Sequence, residues 1–222
     1  MEKVNKKIEN NRETVISSNS IIFNEIFKKK ENTDSVINFV ESVIKEKIIS
    51  IELDNRPILE NDSEVNNLYF IATFDNNIKA NVNIKIIDEE KIDKAALDSL
   101  AFTYLKAFKD EFHKIYQRTI AIIIDNSIAE NLKEINNYYS LWKIKDIHDL
   151  SSTLYDDIEI HIIELPKLKK YGNINNSNKD LLLWSKFFEN PNLIDETEIK
   201  SNNYIKKTKI ELKKILQSKH DI

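Results

Sequence analysis

TIAIIID, residues 119 to 125, decides the fold: four of its seven positions are isoleucine and only its ends are polar. A nearly unbroken β-branched run of this length marks a strand covered on both faces. The segment before it, from Glu90 to about Tyr116, carries Leu97, Ala101, Tyr104, Leu105, Phe108, Phe112 and Ile115 at helical spacing. A two-sided strand following a long amphipathic helix implies a crossover onto a sheet already begun.

That sheet is legible upstream. NVNIKII (81–87) alternates, with Val82, Ile84 and Ile86 on one face and Asn83, Lys85 and Ile87 on the other. It closes a hairpin with LYFIATF through Asp75, Asn76 and Asn77, good turn formers in a chain with one glycine. KIISIEL (47–53) reads as another strand, ending at Asp54, Asn55 and Pro57. Ahead of it lie a short helix, with Ile22, Phe23, Ile26 and Phe27 on one face, and a second from Thr33 through Val36, Val40, Val43 and Ile44.

Downstream, YYSLWKIKD (138–146) and DDIEIHIIELPKLKK (156–170) read as strands. In the latter Ile158, Ile160 and Ile162 point inward, Glu159 and His161 take a half-exposed face, and Pro166 ends the run. LLLWSKFFENP makes a helix halted before Pro191, and a lysine-rich helix follows from about Glu198 to Ser218, with Ile205, Leu212, Ile215 and Leu216 on its apolar side. Trp142, Trp184 and the aromatic stripe of the long helix read as core. The order is that of an α/β protein, a mixed sheet flanked by helices.

The composition, 41% hydrophobic and 32% charged over 222 residues, suits a soluble globular chain with room for a sizeable core. A net charge of -4 gives no general attraction to nucleic acid, so any such contact needs a local basic patch. The absence of cysteine excludes disulfides, thiolate metal sites and thiol nucleophiles. The polar start, MEKVNKKIENNRET, lacks the apolar core of a signal peptide, and no apolar run approaches the ~20 residues of a membrane span. The expected compartment is cytoplasmic.

Several stretches, in order, resemble the Rpn family of recombination-promoting nucleases, also called PD-(D/E)XK nuclease family transposases. SIIFNEIF resembles the family's DxxFKxLF-like helix, INFVESVI its second helix, and IISIELDNRPIL the strand leading to its NP-containing turn. IEIHIIELPK followed by WSKFF is the most specific match, resembling LEIHFIELPK and WLxFL, and the likeness spans roughly residues 18 to 190. It implies a PD-(D/E)XK restriction-endonuclease-like core and, in active members, metal-dependent DNA cleavage. That chemistry needs carboxylates on neighbouring strands to hold a hard divalent cation.

Placed on this chain by the resemblance, the family's catalytic positions are Ser20 and Asn24 on the first helix, Phe70 on the first hairpin strand, and Lys85 and Ile87 on the second. None is acidic. An ammonium in place of a carboxylate repels a cation as well as failing to bind it. The resemblance therefore implies a degenerate member with no cofactor expected, Mg2+ entering only if a migrated acid rescued the site. Glu89 is the rescue candidate, on the same alternation as Lys85; Asp54, Asp75 and Asp88 sit near strand ends and suit turns and caps.

Glu159 beside His161 raises a metal pair or an acid–base dyad, against the plainer reading of a structural strand face. His113, His148 and His220 stand alone in sequence.

Lys28, Lys29 and Lys30, together with Lys167, Lys169 and Lys170, are the candidate DNA contacts; Lys206, Lys207, Lys209, Lys213 and Lys214 line the last helix. Converging, such lysines contact phosphates; apart, they are solvated faces. With arginine only at 12, 56 and 118, bidentate base reading is not expected.

The expected organisation is a flexible segment 1–17, a nuclease-like domain 18–190 and a helical extension 191–222. The expected function is an inactive homologue that retains DNA binding, or pairs as a homodimer or with an active paralogue. The alternatives are an endonuclease using migrated carboxylates, and a protein-interaction module on the same scaffold.

Overall fold

The computed structural model describes residues 19, 21–55, 67–88, 91–108, 118–172, 178–192 and 194–220. Ser20, Glu89, Phe112, His113, Ile115, the segment 1–17 and two of the three arginines, Arg12 and Arg56, lie outside them.

Among the described residues six strands form one sheet: β1 (Ile48–Leu53), β2 (Asn67–Phe74), β3 (Lys79–Ile87), β4 (Arg118–Asp125), β5 (Tyr139–Lys145) and β6 (Thr153–Glu164), in the order β1-β2-β3-β4-β6-β5. The first three are antiparallel; β4 lies parallel to β3 and to β6, and β5 closes the far edge antiparallel to β6. The hairpin turns at Asn77, whose φ of 63° is the left-handed conformation a glycine-poor chain assigns to asparagine. The parallel step from β3 to β4 is made by a helix, α2 below, as the isoleucine run implied.

Both faces are covered. A π-helical turn (Ile22–Phe27), α1 (Thr33–Ile44), α4 (Lys179–Glu189) and α6 (Asn203–His220) lie over one face; α2 (Ile92–Phe108) lies over β3 and β4 on the other. Two short helices, α3 (Leu168–Tyr171) and α5 (Glu196–Ile199), complete the connections. The main core lies under the first layer and takes Phe70 and Phe74 from β2, Val82, Ile84 and Ile86 from β3, and Ile120, Ile122 and Ile124 from β4. The smaller core under α2 takes Ile87, Ile123 and Ile162.

WSKFF supplies the keystone of the main core. Asn178 caps α4 by accepting from the Leu181 N–H at 3.0 Å, and Pro191 follows its end. Trp184, Phe187 and Phe188 then meet Phe23, Phe27 and Phe39, all fully or almost fully buried, with Phe39 at 5.2 Å from Phe188 and 5.6 Å from Trp184 by ring centroid. The indole N–H is satisfied by Asn38 Oδ1 at 2.9 Å. Ile205 and Leu212 of α6 enter this same core, which joins the last helix to the body.

Two expectations fail here. The stripe of α2 faces outward: Leu97 is 65% exposed and Tyr104 and Leu105 are exposed with it, while Ala95, Ala96, Ser99 and Thr103 face the sheet. The sheet beneath presents Asn81, Asn83 and Thr119, so small and hydroxyl-bearing residues pack there and large apolar ones do not. Trp142 is likewise exposed on edge strand β5, not core. Among the described residues no helix is long and apolar enough to cross a membrane.

Candidate functional site

The β2–β3 hairpin carries the corner where this chemistry would sit. Register pairs Asn67 with Lys85, Tyr69 with Asn83 and Phe70 with Val82. Directly paired residues share a face, and successive ones alternate. Asn67, Tyr69, Asn83, Lys85 and Ile87 therefore project toward α2, whereas Phe70 projects into the main core on the opposite face.

The expected constellation is thus divided. Lys85 and Ile87 share one side; Phe70 is on the other, as is Asn24, whose Oδ1 accepts from Lys28 Nζ within the helical layer. Two groups on opposite faces of a sheet cannot hold one ion. On β2, Asn67 and Tyr69 share the face of Lys85, and Tyr69 is one position from the expected Phe70.

The corner is polar without being acidic. Asn83 Nδ2 donates to Asn67 Oδ1 at 2.5 Å and to the Leu68 carbonyl at 3.0 Å, and Asn67 Nδ2 donates to the Tyr69 hydroxyl at 2.9 Å. Asn81, Asn83, Ser99 and Thr119 keep buried side-chain polar atoms with no hydrogen-bond partner among the described residues. A divalent cation does not fit this donor set. Among the described residues of this corner the oxygens are neutral and the charged group is an ammonium, whereas hard cations call for carboxylates. Among the described residues no three His, Asp or Glu side chains gather to hold a metal. The signal for this corner was present in the sequence: Asn81 and Asn83 sit two apart on the face of Lys85, beneath a predicted helix.

The carboxylates that do approach one another are at the far ends of the parallel strands. Asp125 pairs in register with Ile87 and with Glu164. Burial pushes the Asp125 carboxyl up to about 6, against the two Ser127 hydrogen bonds that favour its charge, and Glu164 and Asp88 push it further up. Burial also raises Glu164, opposed by Lys167.

Lys167, one of the candidate contacts, is turned into the protein. It is 5% exposed, and its ammonium donates to Glu164 Oε2 at 2.6 Å, the Leu132 carbonyl at 2.6 Å and the Ile135 carbonyl at 3.1 Å. All three of its donors are used. The ELPK signature is a clamp that fastens the loop between β4 and β5 to the end of β6.

Glu159 and His161 are also buried rather than half-exposed. They face the helical layer and join Arg118, the one arginine among the described residues. Arg118 Nη2 lies 2.7 Å from Glu46 and 3.1 Å from Glu159, and Lys143 lies 2.9 Å from Glu159. Burial alone would raise the Glu159 carboxyl, but hydrogen bonds from His161 and Lys143 and the charge of Arg118 hold it at about 2. The Tyr139 hydroxyl lies 3.0 Å from His161 Nδ1, and burial pushes its pKa up to about 12, away from a nucleophilic phenolate. These contacts form a charge network that ties β4, β5 and β6 together.

The remaining lysines do converge in part. Lys29, Lys206, Lys207 and Lys214 surround a hollow of about 580 Å³ beside α6, and Lys28, Lys29 and Lys30 rim a cleft of about 730 Å³ whose floor includes Phe70. Lys29 is paired with Glu211 at 2.8 Å and Lys207 with Asp34 at 2.8 Å, while Lys206 and Lys214 make no ion pair among the described residues. Lys169 and Lys170 are exposed on α3.

The mixed sheet, the helix crossing from β3 to β4 and the hairpin corner define an α/β protein of the PD-(D/E)XK nuclease-like class. Within it, the model of the PD-(D/E)XK nuclease family transposases matches residues 18–221, and the chain belongs to that family. No curated protein and no solved structure matches it.

Proposed function

We propose that this chain is a catalytically silent member of the PD-(D/E)XK nuclease family transposases that binds DNA without cutting it. The observation that carries the reading is the hairpin corner. Where two carboxylates are needed, it presents Asn67, Tyr69, Asn83 and Lys85, a set that repels a divalent cation. DNA binding is supported by the basic rim around α6, which gathers Lys29, Lys206, Lys207 and Lys214 although the whole chain is acidic.

The purified chain incubated with supercoiled plasmid and Mg2+ or Mn2+ is expected to leave it intact, while retaining DNA fragments at low salt. Metal-dependent nicking that disappears in Glu89→Ala would establish the alternative, an endonuclease using a migrated acid. No retention of DNA at low salt would defeat the binding half of the proposal.

A further inference from the structure

The outward side of α6 is basic on two flanks and neutral between them. At about 3.6 residues per turn, Asn203, Ile210 and Gln217 fall in one row along the helix. Lys206 and Lys213 lie about 40–60° to one side of Ile210, and Lys207 and Lys214 about 40–60° to the other. Ile205 and Leu212 fix the opposite side of the helix in the main core, so this row is its crest. Ile210 is 47% exposed there, and Asn203 and Gln217 are exposed with no side-chain hydrogen bond among the described residues.

The crest stands between two hollows. One, beside Lys207 and Lys214, has a volume of about 580 Å³; the other, beside Lys209 and Lys213, has about 270 Å³. Among the described residues each is lined by four lysines and one glutamate. Lys206, Lys213 and Lys214 make no ion pair among those residues. Burial and the neighbouring Lys213 lower the pKa of the Lys209 ammonium, so this wall gains by meeting an anion.

Two cationic walls with a neutral crest between them complement a groove that has phosphates on both rims and base edges on its floor. A helix is about 10–12 Å across, and the major groove of B-DNA is about 12 Å wide. The deep, narrow major groove of duplex RNA admits no helix, and a single strand offers one row of phosphates instead of two. A membrane surface calls for an apolar face, and that of α6 is buried in the core.

We propose that α6 lies in the major groove of duplex DNA, its lysine flanks against the phosphates of the two strands and its crest toward the base edges. This rests on the DNA-binding reading above and adds how the duplex is held and which bases are selected. Carboxamides match the N6 and N7 edge of adenine, and an apolar side chain meets the thymine methyl, so Asn203, Ile210 and Gln217 select A·T pairs. The scarcity of arginine, which argues against guanine reading, leaves this selection in place.

Fluorescence anisotropy of the full chain at one salt concentration tests it, with four labelled probes: an alternating A·T DNA duplex, an alternating G·C DNA duplex, an A·U RNA duplex and single-stranded oligo(dT). The A·T duplex is expected to bind at least about 10-fold more tightly than the other three. Asn203→Ala with Gln217→Ala is expected to bring the two DNA duplexes within about 3-fold of each other, with the salt slope of the wild type. Lys206→Gln with Lys213→Gln should lower the magnitude of that slope by about 2 and keep the A·T preference. Both variants change exposed side chains and should melt with the wild type. Equal binding of A·T and G·C duplexes by the wild type, equal binding of the RNA duplex or oligo(dT), or a preference that survives the crest substitutions overturns the groove mode and leaves DNA binding standing. Absence of binding to all four probes at low salt defeats the DNA-binding reading, and this inference with it.

Discussion

At the scale of single residues, Asp125 shows how burial that two hydrogen bonds only partly offset leaves a signature in pH. Its carboxyl is raised from 3.8 to about 6 because the strand end is dry and Glu164 and Asp88 lie near. Below about pH 4 the folded and unfolded chains both hold this proton; between about 4 and 6 only the folded chain does; above 6 neither does, and the folded state carries a buried charge. Stability from this group therefore falls as pH rises through that window, by on the order of 3 kcal/mol. Asp125→Asn keeps the oxygen that accepts from Ser127 and removes the charge. Its melting temperature should exceed that of the wild type at pH 8 and match it near pH 4. Equal pH profiles for the two proteins would show that Asp125 is solvated.

The one-residue difference between Phe70 and Tyr69 is testable on the same scale. Tyr69→Asp with Lys85→Glu places two carboxylates on the face beneath α2, and calorimetry is expected to detect Mn2+ binding that the wild type lacks. Phe70→Asp with Lys85→Glu divides them between faces and buries one in the main core. It should bind no Mn2+ and unfold earlier. Metal binding by the second pair and not the first would overturn the assignment of faces.

At the scale of elements, α2 is the case where periodicity misleads. Leu97, Tyr104 and Leu105 share a face, as their spacing requires, yet that face is the exposed one. Spacing tells which residues lie together; it does not tell which side meets the sheet. The asparagines of β3 decide that, by offering α2 a polar floor on which Ala95, Ala96, Ser99 and Thr103 fit closely. Leu97→Glu with Leu105→Lys is expected to leave the urea midpoint almost unchanged. Ser99→Leu, forcing bulk between helix and sheet, should lower stability by about 1–3 kcal/mol. The opposite ranking would mean the helix is rotated.

The strands, by contrast, were legible. TIAIIID carries its two-sided burial in its unbroken run and NVNIKII divides its faces by alternation, while Pro166 marks the end of β6 and Asn77 the β2–β3 turn by backbone chemistry. At the hairpin corner the residues were legible and their faces were not: Lys85 lies beneath α2, while Phe70, one residue from Tyr69, lies in the main core, because a single step along a strand reverses its face. Lys167 reads as one more lysine at a helix start, and nothing local announces that Leu132 and Ile135 turn their carbonyls to meet it.

At the scale of the whole molecule, electrostatics must be local to matter. The chain carries 33 basic and 37 acidic residues, so it repels DNA on average and can bind only through a surface where the balance reverses. Between Glu196 and His220 there are seven lysines and three glutamates, and Lys206 and Lys214, without ion pairs among the described residues, face the hollow that Lys29 also lines. Each lysine that neutralises a phosphate contributes about 0.9 to the slope of log affinity against log salt. Lys206→Gln with Lys214→Gln should therefore lower the magnitude of that slope by about 2 and weaken binding alike on unrelated sequences. Lys167→Met gives the contrasting case. It leaves Glu164 buried without its cation, and stability should fall by about 3–5 kcal/mol. The salt slope of the remaining folded protein should stay that of the wild type, because this ammonium never reaches the surface. A slope altered by Lys167→Met and untouched by the α6 pair would move the binding surface to the end of β6 and refute the rim.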